Sequence, residues 1–248
     1  LRSTHRYASD AMVVLMLIHL LRHFAFDRMR GFRSFSWLTG IALIWLVYVS
    51  GINGYMLPWD RLAQFVLIAS FEWLDWLPSF GGALIRNFIY PSSVNDRLFS
   101  LLSFIHIGAP LLVLLLMWVH VQRVPKAATQ PPRAIAFGVV SMLLVLSLLL
   151  PVASQGGAAD LSTEVASVAL DWFLLPIYPL IYRWQLGSVW LLVAAGTALL
   201  AALPWLGRRR RAGGQREFQP ALDPGARRLH ARAGYTVLEA GLRAVLTI

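Results

Sequence analysis

Four histidines fall into two pairs with one spacing, His5 with His19 and His106 with His120, fourteen positions apart in each case. Fourteen residues of α-helix make close to four turns, so the members of a pair share a face about 21 Å apart along the axis. Two such helices side by side offer two His–His clamps, one above the other. Ionisable side chains are costly inside a bilayer, and bis-imidazole ligation of two stacked haems is a chemistry that justifies four of them. A lone histidine in a membrane span is more often a hydrogen-bonded packing residue or a proton-relay member. Packing alone gives no reason for the repeat.

The elements that must carry these residues are membrane helices. The 248 residues are 58% hydrophobic and 14% charged, with a mean hydropathy of +0.62, whereas soluble domains carry about a quarter charged residues. Five stretches are apolar enough for about 30 Å of hydrocarbon, at roughly 8–26, 37–57, 98–121, 134–152 and 187–206. The expected fold is an all-α integral membrane bundle of about five spans. The first residue is Leu1 rather than Met, so a preceding segment is expected to be missing.

The net charge of +10 is distributed as a topology signal rather than a nucleic-acid footprint. Arg22, Arg28, Arg30 and Arg33 face only Asp27 between the first two spans. Arg123, Lys126 and Arg133 have no acid beside them, and Arg208 to Arg211 follow the fifth span. The other connections are mixed or acidic: Asp60, Glu72, Asp75 and Asp96 accompany Arg61, Arg86 and Arg97, and Asp160, Glu164 and Asp171 accompany only Arg183. The positive-inside rule therefore puts Leu1 outside, and His5 and His106 at an outer level. His19 and His120 share an inner one. The connection 59–97 is expected to hold two short interfacial helices, and Trp59, Trp73, Trp76, Trp172 and Trp184 mark outer boundaries.

With no cysteine in the chain, disulfides, iron–sulfur clusters, thiolate ligation and covalent haem attachment are excluded. Glycine lets a macrocycle approach a helix closely, and Gly40 and Gly54 on the second span repeat the fourteen-residue spacing. Taken alone, such glycines signal helix packing; beside the histidines they favour haem contact. Arg2 precedes His5 by three residues and Arg22 follows His19 by three. Each lies one turn toward its own membrane surface, suited to an anionic haem propionate as well as to simple snorkelling. His23 shares the His19 face but has no spacing partner, and His230 lies in a solvated basic tail.

The segments Leu1-Arg2-Ser3-Thr4-His5-Arg6, His19-Leu20-Leu21-Arg22, Ser36-Trp37-Leu38-Thr39-Gly40 and Gly54-Tyr55-Met56-Leu57-Pro58-Trp59, with His106 followed by Pro110, resemble cytochrome b of the Rieske/cytochrome b complexes over roughly residues 1–206. The resemblance implies two haem b groups, the outer low-potential one on His5 and His106 and the inner high-potential one on His19 and His120. It also implies that Tyr55, Pro58 and Trp59 line an outer quinol-oxidation pocket. Its other wall, a Pro-Glu-Trp-Tyr tetrad in the family, is matched in altered form by Leu170-Asp171-Trp172-Phe173. Asp171 is then the candidate acceptor of a quinol proton; the competing reading is a solvated carboxylate at a helix edge.

Residues 1–125 correspond on this reading to a dihaem core equivalent to the family's second to fourth helices, 126–206 to two further spans with an outer loop, and 207–248 to a basic cytoplasmic tail. The implied function is an electron-carrying subunit of a quinol oxidoreductase in a bacterial inner membrane. A Rieske iron–sulfur protein and a c-type cytochrome are the implied partners, in a dimeric complex surrounded by membrane lipid and without nucleic acid. The alternative is a haem b anchor wiring the quinone pool to another peripheral oxidoreductase. A transporter or assembly factor explains neither the histidine repeat nor the matching glycines.

Overall fold

The computed structural model describes residues 1–90, 96–124 and 127–206. Lys126, Pro91-Ser92-Ser93, the Arg208 to Arg211 run, His230 and the tail 207–248 lie outside the described residues. Residues Leu1–Trp205 form one compact unit.

Among the described residues the fold is all-helical. α1 (Arg2–Ala25), α2 (Ser34–Met56) and α5 (Asp96–Val121) are long and apolar enough to cross a membrane. The fourth and fifth predicted spans form α6 (Arg133–Leu149) and α8 (Leu186–Ala202), each of 17 residues, about 26 Å at the α-helical rise. Three shorter helices complete the set: α3 (Arg61–Asp75), α4 (Ala83–Phe88) and α7 (Tyr178–Arg183).

The core runs along α2, whose main neighbour is α5 and which also touches α1, α3 and α8; α1 packs on α6. Tight α2 contact at Gly40, Gly51 and Gly54 lets neighbouring side chains approach its backbone. Pro110 stands inside α5. Without an N–H it leaves the His106 carbonyl, four residues back, outside the helical ladder.

The connection after α2 does form the two expected short helices, but α3 is more than an interfacial piece. Leu62, Ala63, Val66, Leu67, Ala69 and Phe71 are buried in the main core, because α3 is apolar over most of its surface and is covered by α4, α7 and the loop before α7. Asp60 caps α3 by accepting from the Ala63 amide at 2.9 Å, and its other oxygen accepts from the Gln155 amide at 2.9 Å. Gln64 donates to the carbonyls of Asp160 and Thr163, both at 2.8 Å. These bonds fasten the otherwise irregular 151–170 loop to α3. Trp73, expected at a boundary, is buried and stacked on Trp190 at 4.3 Å.

Candidate functional site

At the outer level the imidazoles of His5 and His106 face each other with ring centroids 6.0 Å apart and planes at 84°. Two metal–nitrogen bonds of about 2 Å, plus about 1.1 Å from each nitrogen to its ring centre, give a bis-imidazole spacing of about 6.2 Å. The pair is thus set at ligation distance. His106 Nδ1–H donates to the Ser50 carbonyl at 3.1 Å. A carbonyl only accepts, so the tautomer leaves Nε2 with a free lone pair.

The inner level repeats this arrangement on α5. His120 Nδ1 lies 3.0 Å from Thr39 Oγ1. Thr39 spends its one proton on helical carbonyls, Phe35 at 2.9 Å and Ser36 at 3.2 Å, so it accepts from His120 and again frees Nε2. Ser36 Oγ adds a bond to the His120 carbonyl at 3.2 Å. On α1 the levels differ, since the His19 ring lies 4.4 Å from that of His23.

Gly40 and Gly54 sit at the two levels, as their spacing predicts. What each makes room for directly is an imidazole. A Cβ on Gly54 would meet His106 Cε1 at 2.8 Å, and one on Gly40 would meet His120 Cε1 at 3.3 Å. Among the described residues no three His, Asp or Glu side chains converge to hold a bare metal ion. The paired imidazoles of His5 and His106 supply two ligands, the number that iron within a macrocycle has open. The donor set of that level therefore fits haem.

A cavity of about 270 Å³ opens between the first turns of α1 and the end of α2. It gathers four residues that the sequence separates, Arg2, Tyr55, Pro58 and Asp171. Arg2 also donates to Ser154 Oγ at 3.3 Å. The Tyr55 hydroxyl and Arg6 Nη2 both donate to Asp171 Oδ2, and the Arg6 guanidinium lies 4.3 Å from the Tyr55 ring centroid. Arg6, Tyr7 and Asp10 line the same cavity and were absent from the sequence-based site. The signal for two of them was available, because an acid in an apolar span at i,i+4 from an arginine marks a site.

Other expected wall residues stand apart from this cavity. Trp59, at φ 53°, packs its ring edge-on against Phe99 at 5.0 Å. Trp172 is 74% exposed and touches the Phe173 ring. Arg22 is exposed one turn beyond His19. A second, apolar cavity of about 270 Å³ is lined by Trp45, Tyr48, Trp73 and Ile177, among others. Outside the spans, burial pushes the Tyr178 phenol up despite its 2.7 Å bond to Ser70 Oγ. Burial and the neighbouring Glu72 push Tyr182 up to about 12.

Residues 1–128 match the family described as cytochrome b/b6/petB. The match takes in both histidine pairs, both glycines, Arg2, Arg22 and the Tyr55 to Trp59 segment, and it spans more than half of the chain. The chain belongs to the cytochrome b family and is an integral membrane, haem-binding electron-transfer subunit.

Proposed function

We propose that this protein is a dihaem cytochrome b, His5 and His106 ligating an outer haem b and His19 and His120 an inner one. The observation that carries this reading is the repeated orientation of the α5 histidines. At both levels an α2 oxygen fixes Nδ1 and a glycine admits the ring, which leaves Nε2 free to ligate. Bound haem supplies one-electron chemistry at each level. The chain would supply imidazole nitrogens to hold each haem, cationic partners for its propionates in Arg2 and Arg22, and a low-dielectric path between the levels.

The electron donor on this reading is a membrane quinol oxidised at the outer surface. Asp171 accepts the proton of a quinol hydroxyl there. Tyr55 and Arg6 hold the Asp171 carboxylate, while Pro58 and Tyr55 wall the approach. The partners are a Rieske iron–sulfur protein and a c-type cytochrome, in a dimeric complex of a bacterial inner membrane. Leu170 and Phe173 replace the family's proline and tyrosine, and Trp172 is exposed and does not line the cavity. Those differences favour, as a second reading, an anchor that wires the quinone pool to another oxidoreductase. Co-purification of a Rieske protein, with inhibition by outer-site quinol analogues, selects the first reading.

Reduced-minus-oxidised spectra of the purified protein are expected to show two low-spin b-type haems per chain. Absence of haem, or retention of both haems in His19→Ala, overturns the dihaem assignment.

A further inference from the structure

Arg6 is shared between two carboxylates. Its Nε donates to Asp10 Oδ2 at 2.9 Å, and its Nη2 donates to Asp171 Oδ2. Arg6 and Asp10 stand one turn apart on α1, while Asp171 arrives from a segment more than 160 positions away. All three are partly withdrawn from solvent, with side chains 28%, 27% and 32% exposed. The groups facing this cluster are Arg2, Arg6, Tyr7 and Asp10 from α1, Tyr55 and Asp60 at the end of α2 and just beyond it, and Asp171 itself.

A guanidinium beside a carboxylate lowers its affinity for a proton. Neutralising Asp171 would also strand a half-buried cation without its counter-charge, which is costly away from water. Asp10 answers this difficulty, since it gives the guanidinium a partner that chemistry at Asp171 leaves in place.

Building on the reading of Asp171 as proton acceptor, we propose that Asp10 is a positioning residue that holds Arg6, and through it the Asp171 carboxylate, in place through the protonation cycle. In that step the quinol O–H bond breaks and its electron pair stays on the quinol oxygen. The proton forms a new O–H bond on Asp171, and the Arg6–Asp10 ion pair remains. Asp10 itself touches no substrate.

The test is a carboxyl-region infrared titration of the full-length, haem-loaded protein in detergent, with the Asp171 band identified by its loss in Asp171→Asn. Asp10→Asn, of the same shape without the charge, is expected to lower the Asp171 midpoint by about one pH unit, a tenfold loss of proton affinity. Asp10→Glu is expected to restore it. The same downward displacement is expected in the acidic limb of the pH profile for quinol oxidation by the assembled complex. An unshifted midpoint in Asp10→Asn overturns the role of Asp10 while leaving the acceptor reading of Asp171 intact. Undiminished quinol oxidation by Asp171→Asn overturns that acceptor reading, and the positioning role of Asp10 falls with it.

Discussion

On α5 the two clamps are near copies: His106 and His120 each direct Nδ1 to an oxygen of α2, at 3.1 and 3.0 Å, and each ring fills the space left by a glycine. On α1 they diverge. His5 faces its partner at 6.0 Å and is followed by Arg6, which bonds Asp171, while His19 lies 4.4 Å from His23. The difference follows the packing, because α2 and α5 share the longest interface of the bundle, whereas α1 packs mainly against α6. The α2–α5 pair thus carries the preorganised half of each clamp, and α1 contributes a histidine whose setting is local to its level.

Replacing histidines breaks this comparison most severely. His5→Ala and His19→Ala are each expected to remove one haem of two, read as a halved haem-to-protein ratio. His23→Ala is expected to keep both haems, since no residue shares its level on α5 at the ligand spacing. If His23→Ala loses the inner haem instead, the two levels use different ligand sets and the copied geometry on α5 misleads.

Thr39→Val addresses the orienting bonds. It removes the acceptor for His120 Nδ1 and has no counterpart outside, where the acceptor is the Ser50 backbone. Loss of such a partner typically costs about 10–100-fold in metal affinity. Haem titration should show that loss at the inner level alone, with the outer spectrum unchanged.

The glycines separate the levels by a smaller margin. Gly54→Ala puts a Cβ 2.8 Å from the His106 ring, which its bond to Ser50 holds in place, and is expected to destabilise by about 1–3 kcal/mol. Gly40→Ala meets His120 at 3.3 Å, a contact relieved by a shift of a few tenths of an ångström. Thermal unfolding of the two haem-loaded variants should place Gly54→Ala well below Gly40→Ala.

What could be read from the sequence was what repeats along a helix. His5, His19, His106, His120, Gly40 and Gly54 obey one spacing, and arginine counts gave their levels. The Arg6, Asp10 and Asp171 cluster was not legible as a unit, because pairing across some 160 residues leaves no periodicity. Trp172 was placed at the pocket by its tetrad position, yet the altered neighbours Leu170 and Phe173 accompany a ring that is 74% exposed. α3 read as interfacial because its hydrophobicity suits lipid as well as protein, and the loop that covers it is fastened by Gln64 and Asp60, whose partners lie about 100 residues on.

That loop provides the gentlest way to separate the two levels. Ser162 donates its hydroxyl at 2.6 Å and its amide at 3.0 Å to Asp160 Oδ1, and these bonds hold the Asp160 carboxyl below its usual range. Because the folded state binds this proton less readily than the unfolded chain, the stabilisation is present at neutral pH and fades as pH falls through the lowered value. Asp160 also supplies the carbonyl that Gln64 uses to bind α3, and Val152, Ala153 and Gln155 of the same loop wall the outer cavity. Acidification below the ordinary carboxylate range should therefore lower the amide protection factors across 151–164 and perturb the outer haem band before the inner one. Asp160→Asn should show the lower protection already at neutral pH, with little further change on acidification. An inner band that responds first would mean that the loop does not act through the outer clamp.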